Sequence, residues 1–215
     1  MNPRLPLSVL LPALALASLA GPVRAAAADG DREAKAKECE ALRLKYAASD
    51  AYHPYDDVVS DLRFQCSEQM FNKDYARAIE IAERGLKRDP YNIHLLMMEA
   101  TAYRLSGNTE KAEEIRTFWT GLVDSIVNNG DGDGYSTAYR VISLDEEDAV
   151  LRVLLLRPSD KRLVERRGSQ YEIVTAADAK GGGKREVYFN VDLPRQWQAR
   201  QAARHQAPAK PGPGR

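Results

Sequence analysis

A chain of 215 residues has room for one domain, or for one plus a small appendage. Its 31 basic and 31 acidic residues balance, which argues against a protein built to bind a polyanion such as nucleic acid. With 44% apolar residues in periodic segments the chain can bury a real core, and no catalytic signature interrupts them.

The first 27 residues read as a signal peptide. Arg4 supplies the positive charge, residues 5–20 are rich in Leu and Ala, and Val23-Arg24-Ala25 or Ala25-Ala26-Ala27 offers small residues for cleavage. A membrane anchor is the competing reading, but Pro6, Pro12 and Pro22 interrupt a run already short for a span. No cysteine stands at the cleavage region to carry a lipid. The mature chain is therefore expected in the periplasm or outside the cell, without a stable membrane anchor.

Residues 31–48 have a helical stripe of Cys39, Leu42 and Tyr46, and residues 56–71 one of Val59, Leu62, Cys66 and Met70. Pro54 biases His53 away from helix and sets a turn between them. Cys39 and Cys66 lie at nearly equal distances from that turn, so an antiparallel hairpin would bring them to one height. A Cys39–Cys66 disulfide is the expectation in an oxidising compartment; two buried free thiols are the alternative. No CxxC motif suggests a catalytic thiol.

From Leu62 to about Ser125 two helix-turn-helix units follow the 34-residue period of a tetratricopeptide repeat. Cys66, Ala78 and Gly85 take the close-approach positions of the first unit, which Pro90 ends. Ala100, Tyr103, Gly107 and Ala112 take those of the second. Asp74 and Asn108 are the expected N-caps. The first helices of such pairs line a concave face, which here would carry Arg63, Ser67, Met70, His94, Met97, Thr101 and Arg104. Methionines beside arginines suit a peptide or an acidic group; equally, the methionines fill core gaps and the arginines are solvated.

Asn129, Asp131 and Asp133 alternate as in the first ligand positions of a calcium loop, with Gly134 sixth. Position twelve is Arg140 where a bidentate Glu belongs, so a glycine-rich helix exit is the preferred reading and no metal or other cofactor is expected. Beyond it, residues 138–142 alternate like a strand. Ser143 and Glu146 form a capping box, opening a short helix to about Leu156 that Pro158 closes. Residues 162–165, 171–175 and 186–191 read as strands, with the flexible stretch 180–184 as a hairpin tip. A last helical turn or two follows near Trp197, and residues 199–215 read as a basic, disordered tail. The expected fold is α+β: tetratricopeptide-like antiparallel helix pairs (31–130), then a small antiparallel sheet with a short helix (131–198).

Several stretches together resemble a known family. They are Ala51-Tyr52-His53-Pro54-Tyr55, Gly121-Leu122-Val123-Asp124-Ser125-Ile126, Gly130-Asp131-Gly132 and Ala138-Tyr139-Arg140-Val141-Ile142-Ser143. Asp145-Glu146-Glu147, Tyr171 and Tyr188-Phe189-Asn190-Val191-Asp192-Leu193-Pro194 continue the series. From about Tyr52 to Trp197 the chain resembles the bacterial secreted family named domain of unknown function 4919. The resemblance implies a helical-repeat half followed by a β-containing half, and implies no activity.

The residues favour a non-enzymatic protein-interaction module of the bacterial envelope over two other classes. One is an inhibitor, immunity-type or envelope-stress factor acting through its β half. The other is an enzyme: His53, His94 and His205 do not converge on a nucleophile. Glu146 and Glu147, about 100° apart on a helix, do not read as a catalytic dyad, and their first-turn position gives them a dipole role.

Overall fold

The computed structural model describes residues 20–179 and 181–206, with side chains described for residues 30–179 and 181–204. Most of the predicted signal peptide and residues 207–215 of the predicted tail lie outside the described residues. The chain is α+β, with helix α1 (Ala20–Ala47) leading into the two expected helix pairs. These are α2 (Asp57–Phe71) with α3 (Tyr75–Leu86), and α4 (Ile93–Leu105) with α5 (Thr109–Val127).

Each of the four begins on a short polar side chain that holds a free backbone N–H. Asp56 accepts from Val58 N at 2.9 Å, and Asp74, Asn92 and Asn108 each accept at 3.1 Å from the amide three residues on. Such caps contribute about 1 kcal/mol each. Cys66, Ala78, Ala100 and Ala112 are buried where the repeat pattern places them. Gly85 marks a close approach of α3 to α4, because a Cβ there would stand 2.4 Å from Leu95 Cδ1.

The structure corrects the hairpin expected between α1 and α2. Helix α1 packs against α5, at the opposite end of the stack from α2. Its buried stripe is Ala36, Cys39, Arg43 and Ala47. Gly121 of α5 admits it closely, since a Cβ at Gly121 would lie 2.9 Å from Cys39 Sγ. Cys39 therefore joins the core around Leu122 and Ile126, while Cys66 sits in a separate cluster with Val59, Ala78 and Ala82. Both cysteines are free buried thiols, and the expected disulfide is not formed. Cys66 Sγ donates instead to the Ala78 carbonyl at 3.4 Å.

The second half holds β1 (Tyr139–Arg140), α6 (Leu144–Val153), β2 (Leu156–Arg166), β3 (Ser169–Asp178), β4 (Lys184–Asn190) and α7 (Asp192–Gln206). The sheet runs in the order β1-β4-β3-β2. It is antiparallel except that β1 joins β4 in parallel. Val174, Ala176, Val187 and Phe189 on one face share a core with Ile93, Leu122 and Val150 of the helices, so the two halves bury one apolar interior.

Three local expectations are revised. The short helix ends at Val153, and Pro158 lies inside edge strand β2 at a bulge rather than closing a helix; an edge strand tolerates a residue without an N–H. Ser143 makes no side-chain cap, because Glu146 is drawn inward and accepts from Ile142 N at 2.8 Å. Helix α7 continues to Gln206 through Gln198, Ala199, Arg200, Gln201 and Ala202, all residues at ease in a helix.

Candidate functional site

Part of the concave face read from the sequence meets the chain's own helix α6. Helix α6 lies against α4 and α5. Its Asp145 forms an ion pair with Arg63 of α2 and accepts from Asn92 Nδ2 at 2.9 Å. His94 is held beneath this contact with Nε2 buried and unpartnered. Burial, with Arg63 nearby, keeps its imidazole below the usual range. Met97 backs the main core and Met70 the smaller one, while the Thr101 hydroxyl donates to the Met97 carbonyl at 2.8 Å. Ser67 and Arg104 are exposed. The structure thus brings Arg63 and His94 together under α6 and leaves Arg104 apart from them. None of the three cavities described on the surface is lined by them.

Glu146 and Glu147 have roles that the dipole reading missed. Glu146 meets Arg43 of α1 in a doubly hydrogen-bonded pair at 2.7 and 2.5 Å, both side chains being buried. Arg43 also donates to Ser125 Oγ at 3.0 Å and to the Arg140 carbonyl at 3.2 Å. The Tyr52 hydroxyl donates to the Ile142 carbonyl alongside. Glu147 points the other way, 2.7 Å from Lys161 Nζ, which also lies 2.6 Å from Glu172 Oε2. Arg195 of α7 donates to Glu172 Oε1 at 2.9 Å. Burial, and then the neighbouring Glu172 charge, raise the Glu147 carboxyl. Two carboxylates and two cations form ion pairs here, tying α6, β2, β3 and α7 together, with Glu147 Oε1 and Arg195 Nε buried without a hydrogen-bond partner. None of the three cavities described on the surface is lined by Arg43, Glu146, Glu147, Lys161, Glu172 or Arg195.

In the Asn129–Arg140 loop the candidate ligand oxygens face protein donors. Asp131 Oδ1 accepts from Asp133 N at 2.9 Å and from the Thr137 hydroxyl, and Asn129 Oδ1 accepts from Arg140 N at 3.2 Å. Among the described residues no group of three or more His, Cys, Asp or Glu side chains could hold a metal ion.

The most open apolar surface is on α2. Phe64 is 74% exposed and Phe71 87%. Seven residues apart, they lie about 20° from one another around the helix and roughly 10 Å apart along it. The buried residues Val59, Leu62 and Cys66 occupy the other side. Asp57, Asp61 and Glu68 are exposed on the flank of the phenylalanine pair, within about 80° of it. A repeat stack ordinarily covers such a first helix with a preceding unit or a cap, and here α1 caps the other end. The signal for this face was in the sequence: two phenylalanines at i and i+7, out of phase with the stripe that forms the core.

No curated protein and no solved structure matches the chain. One family model covers residues 28–200, so it includes the Cys39 helix that the sequence resemblance left out. The chain belongs to the family described as domain of unknown function DUF4919.

Proposed function

We propose that the chain is an exported, non-enzymatic interaction module that docks a basic amphipathic helix of a partner protein on the outer face of α2. The observation that carries this reading is the exposure of Phe64 and Phe71 on one helical face. Isolated exposed apolar residues need no explanation, but two large aromatics side by side on an uncovered repeat end are an anchor pattern. The flanking Asp57, Asp61 and Glu68 set the sign of the partner: lysines or arginines beside its apolar stripe. A second copy of this chain meeting the same face would bring six carboxylates together, which disfavours self-association. The helix-in-groove mode also suits a repeat stack, because the docked helix takes the place of the missing neighbour.

Export rests on Arg4, the apolar run and the small residues before Ala28. The family match beginning at residue 28 is compatible with a leader that ends there.

The docking claim is tested by fluorescence anisotropy with a labelled synthetic helix bearing leucines on one stripe and lysines beside it. Saturable, salt-sensitive binding is expected, weakened about tenfold or more by Phe64→Ser with Phe71→Ser and by Asp61→Lys with Glu68→Lys. A peptide with glutamates in place of the lysines should not bind. Equal binding to all three proteins, or preference for the acidic peptide, overturns the reading. Export is tested separately: the mass of the mature protein should correspond to a start after residue 25–27, and a mature chain retaining Met1 contradicts it.

A further inference from the structure

We propose that the tip of the β2–β3 hairpin is a binding site for a small phosphate monoester. A cavity of about 250 Å³ there is lined by Tyr135, Ser136, Arg166, Arg167, Ser169 and Tyr171. Its size is just below the roughly 300–1,000 Å³ of drug-sized sites, so it admits a small ligand.

The charge of the cavity is unbalanced. On the same sheet face Arg162 is neutralised by Glu186 at 2.6 Å, and nearby Arg185 lies 3.5 Å from Asp133. Among the described residues no carboxylate forms such a pair with Arg166 or Arg167. Arg166 rests its guanidinium 4.3 Å from the centre of the Tyr135 ring, and Tyr135 is held edge-on by Tyr171 and Tyr188, each 5.0 Å away. An aromatic platform thus orients one guanidinium while leaving its hydrogen-bond donors available. Glu165, next in sequence, falls on the opposite face by strand alternation.

The backbone adds a second, independent observation. Arg166 pairs with Ser169, leaving Arg167 and Gly168 as a two-residue loop with φ of 53° and 82°. Such a turn calls for Asn, Asp or Gly first, since a left-handed residue with a long side chain is disfavoured. Arg167 stands there against that preference, on the rim of the cavity. A residue kept at a conformational cost in a cleft points to a use for its side chain.

The donors fit a phosphoryl group better than a carboxylate. Arg166, Arg167, Ser136 and Ser169 all line the cavity, which offers more donor groups than the two oxygens of a carboxylate would engage, whereas a phosphate monoester has three terminal oxygens. The tyrosine rings would flank the body of the ester.

Isothermal titration of the full mature protein with phenyl phosphate, inorganic phosphate and benzoate tests the site. The expected result is saturable binding of phenyl phosphate, with inorganic phosphate weaker and benzoate weaker still. Arg166→Gln and Arg167→Asn should each weaken phenyl phosphate binding about tenfold or more. Because Asn suits the left-handed position, Arg167→Asn should also melt at the same or a higher temperature, which separates loss of binding from loss of fold. No saturable binding, equal affinity for benzoate, or unchanged affinity in both variants overturns the proposal.

Discussion

Removing the Arg43 guanidinium should be among the most damaging single changes in this molecule. Arg43 is 1% exposed and ties α1 to three distant places at once: Glu146 of α6, Ser125 of α5 and the Arg140 carbonyl of β1. Arg43→Ala would leave Glu146 buried without its cation and two oxygens without a donor. Breaking such a pair costs typically about 3–5 kcal/mol. That is a large share of the roughly 5–15 kcal/mol that holds a domain of this size folded. The cost reflects the stranded partner more than the bond itself, so replacing both residues, Arg43→Met with Glu146→Leu, should recover part of the loss. Urea melts of the two single variants and the double variant would measure it, with a coupling energy of about 2 kcal/mol or more expected from the cycle. If Arg43→Ala costs less than about 1 kcal/mol, α1 does not dock on α5 and α6 in the way described.

Both cysteines should be labelled stoichiometrically in denaturant without reductant, and neither promptly in the native protein; a mass two hydrogens lower that reductant restores, or rapid native labelling, contradicts the separate cores. Glu99 is 6% exposed on α4, and burial, with the Glu83 charge, pushes its carboxyl up to about 7. The folded chain then holds a proton that the unfolded chain has released, so stability should fall as pH rises from about 4.5 through 7, by up to the order of 3 kcal/mol. Glu99→Gln should flatten that slope in melts at pH 5 and 8, and an unchanged slope refutes the assignment. Ala100→Leu should overpack α4 at a cost of about 1–3 kcal/mol, while Lys111→Ala on the solvent side should stay within about 0.5 kcal/mol; equal melting of the two would contradict the repeat packing.

The repeat half was legible because its rules are local. Small residues at a 34-residue interval, Asp74 and Asn108 as caps, and Pro90 as a stop depend on neighbours within a few turns, and the structure has them in those places. What the sequence did not disclose was which helix each apolar stripe meets. Equal spacing about a turn brought Cys39 to Cys66 only if α1 folded back on α2. The stripe of α1 fits α5 as well, and the true match is a glycine, Gly121, 82 residues away. Arg43 disguised the stripe further, since a charge at its centre reads as a solvent-facing break. Glu146 and Glu147 were misread for the same reason: first-turn acids usually serve the helix dipole, and only the tertiary arrangement gives each a cation partner, Arg43 and Lys161. Of the residues read as a concave face, Arg63 is paired with Asp145 of α6, which comes from the other half of the chain, while Ser67 and Arg104 stay exposed. The α2 surface was readable in principle, as two phenylalanines out of phase with a core stripe.

The central claim is that partners meet α2 and not the concave face read from the sequence. A photoreactive phenylalanine analogue placed at Phe71 and, separately, at Arg104 tests it in cells producing the full chain. The account predicts one crosslinked protein from position 71 and none from position 104. Once purified, that protein should bind the wild-type chain and lose at least about tenfold in affinity for the Asp61→Lys, Glu68→Lys variant. Crosslinking from position 104 but not 71, or a captured protein that binds the charge-reversed chain equally well, would contradict it.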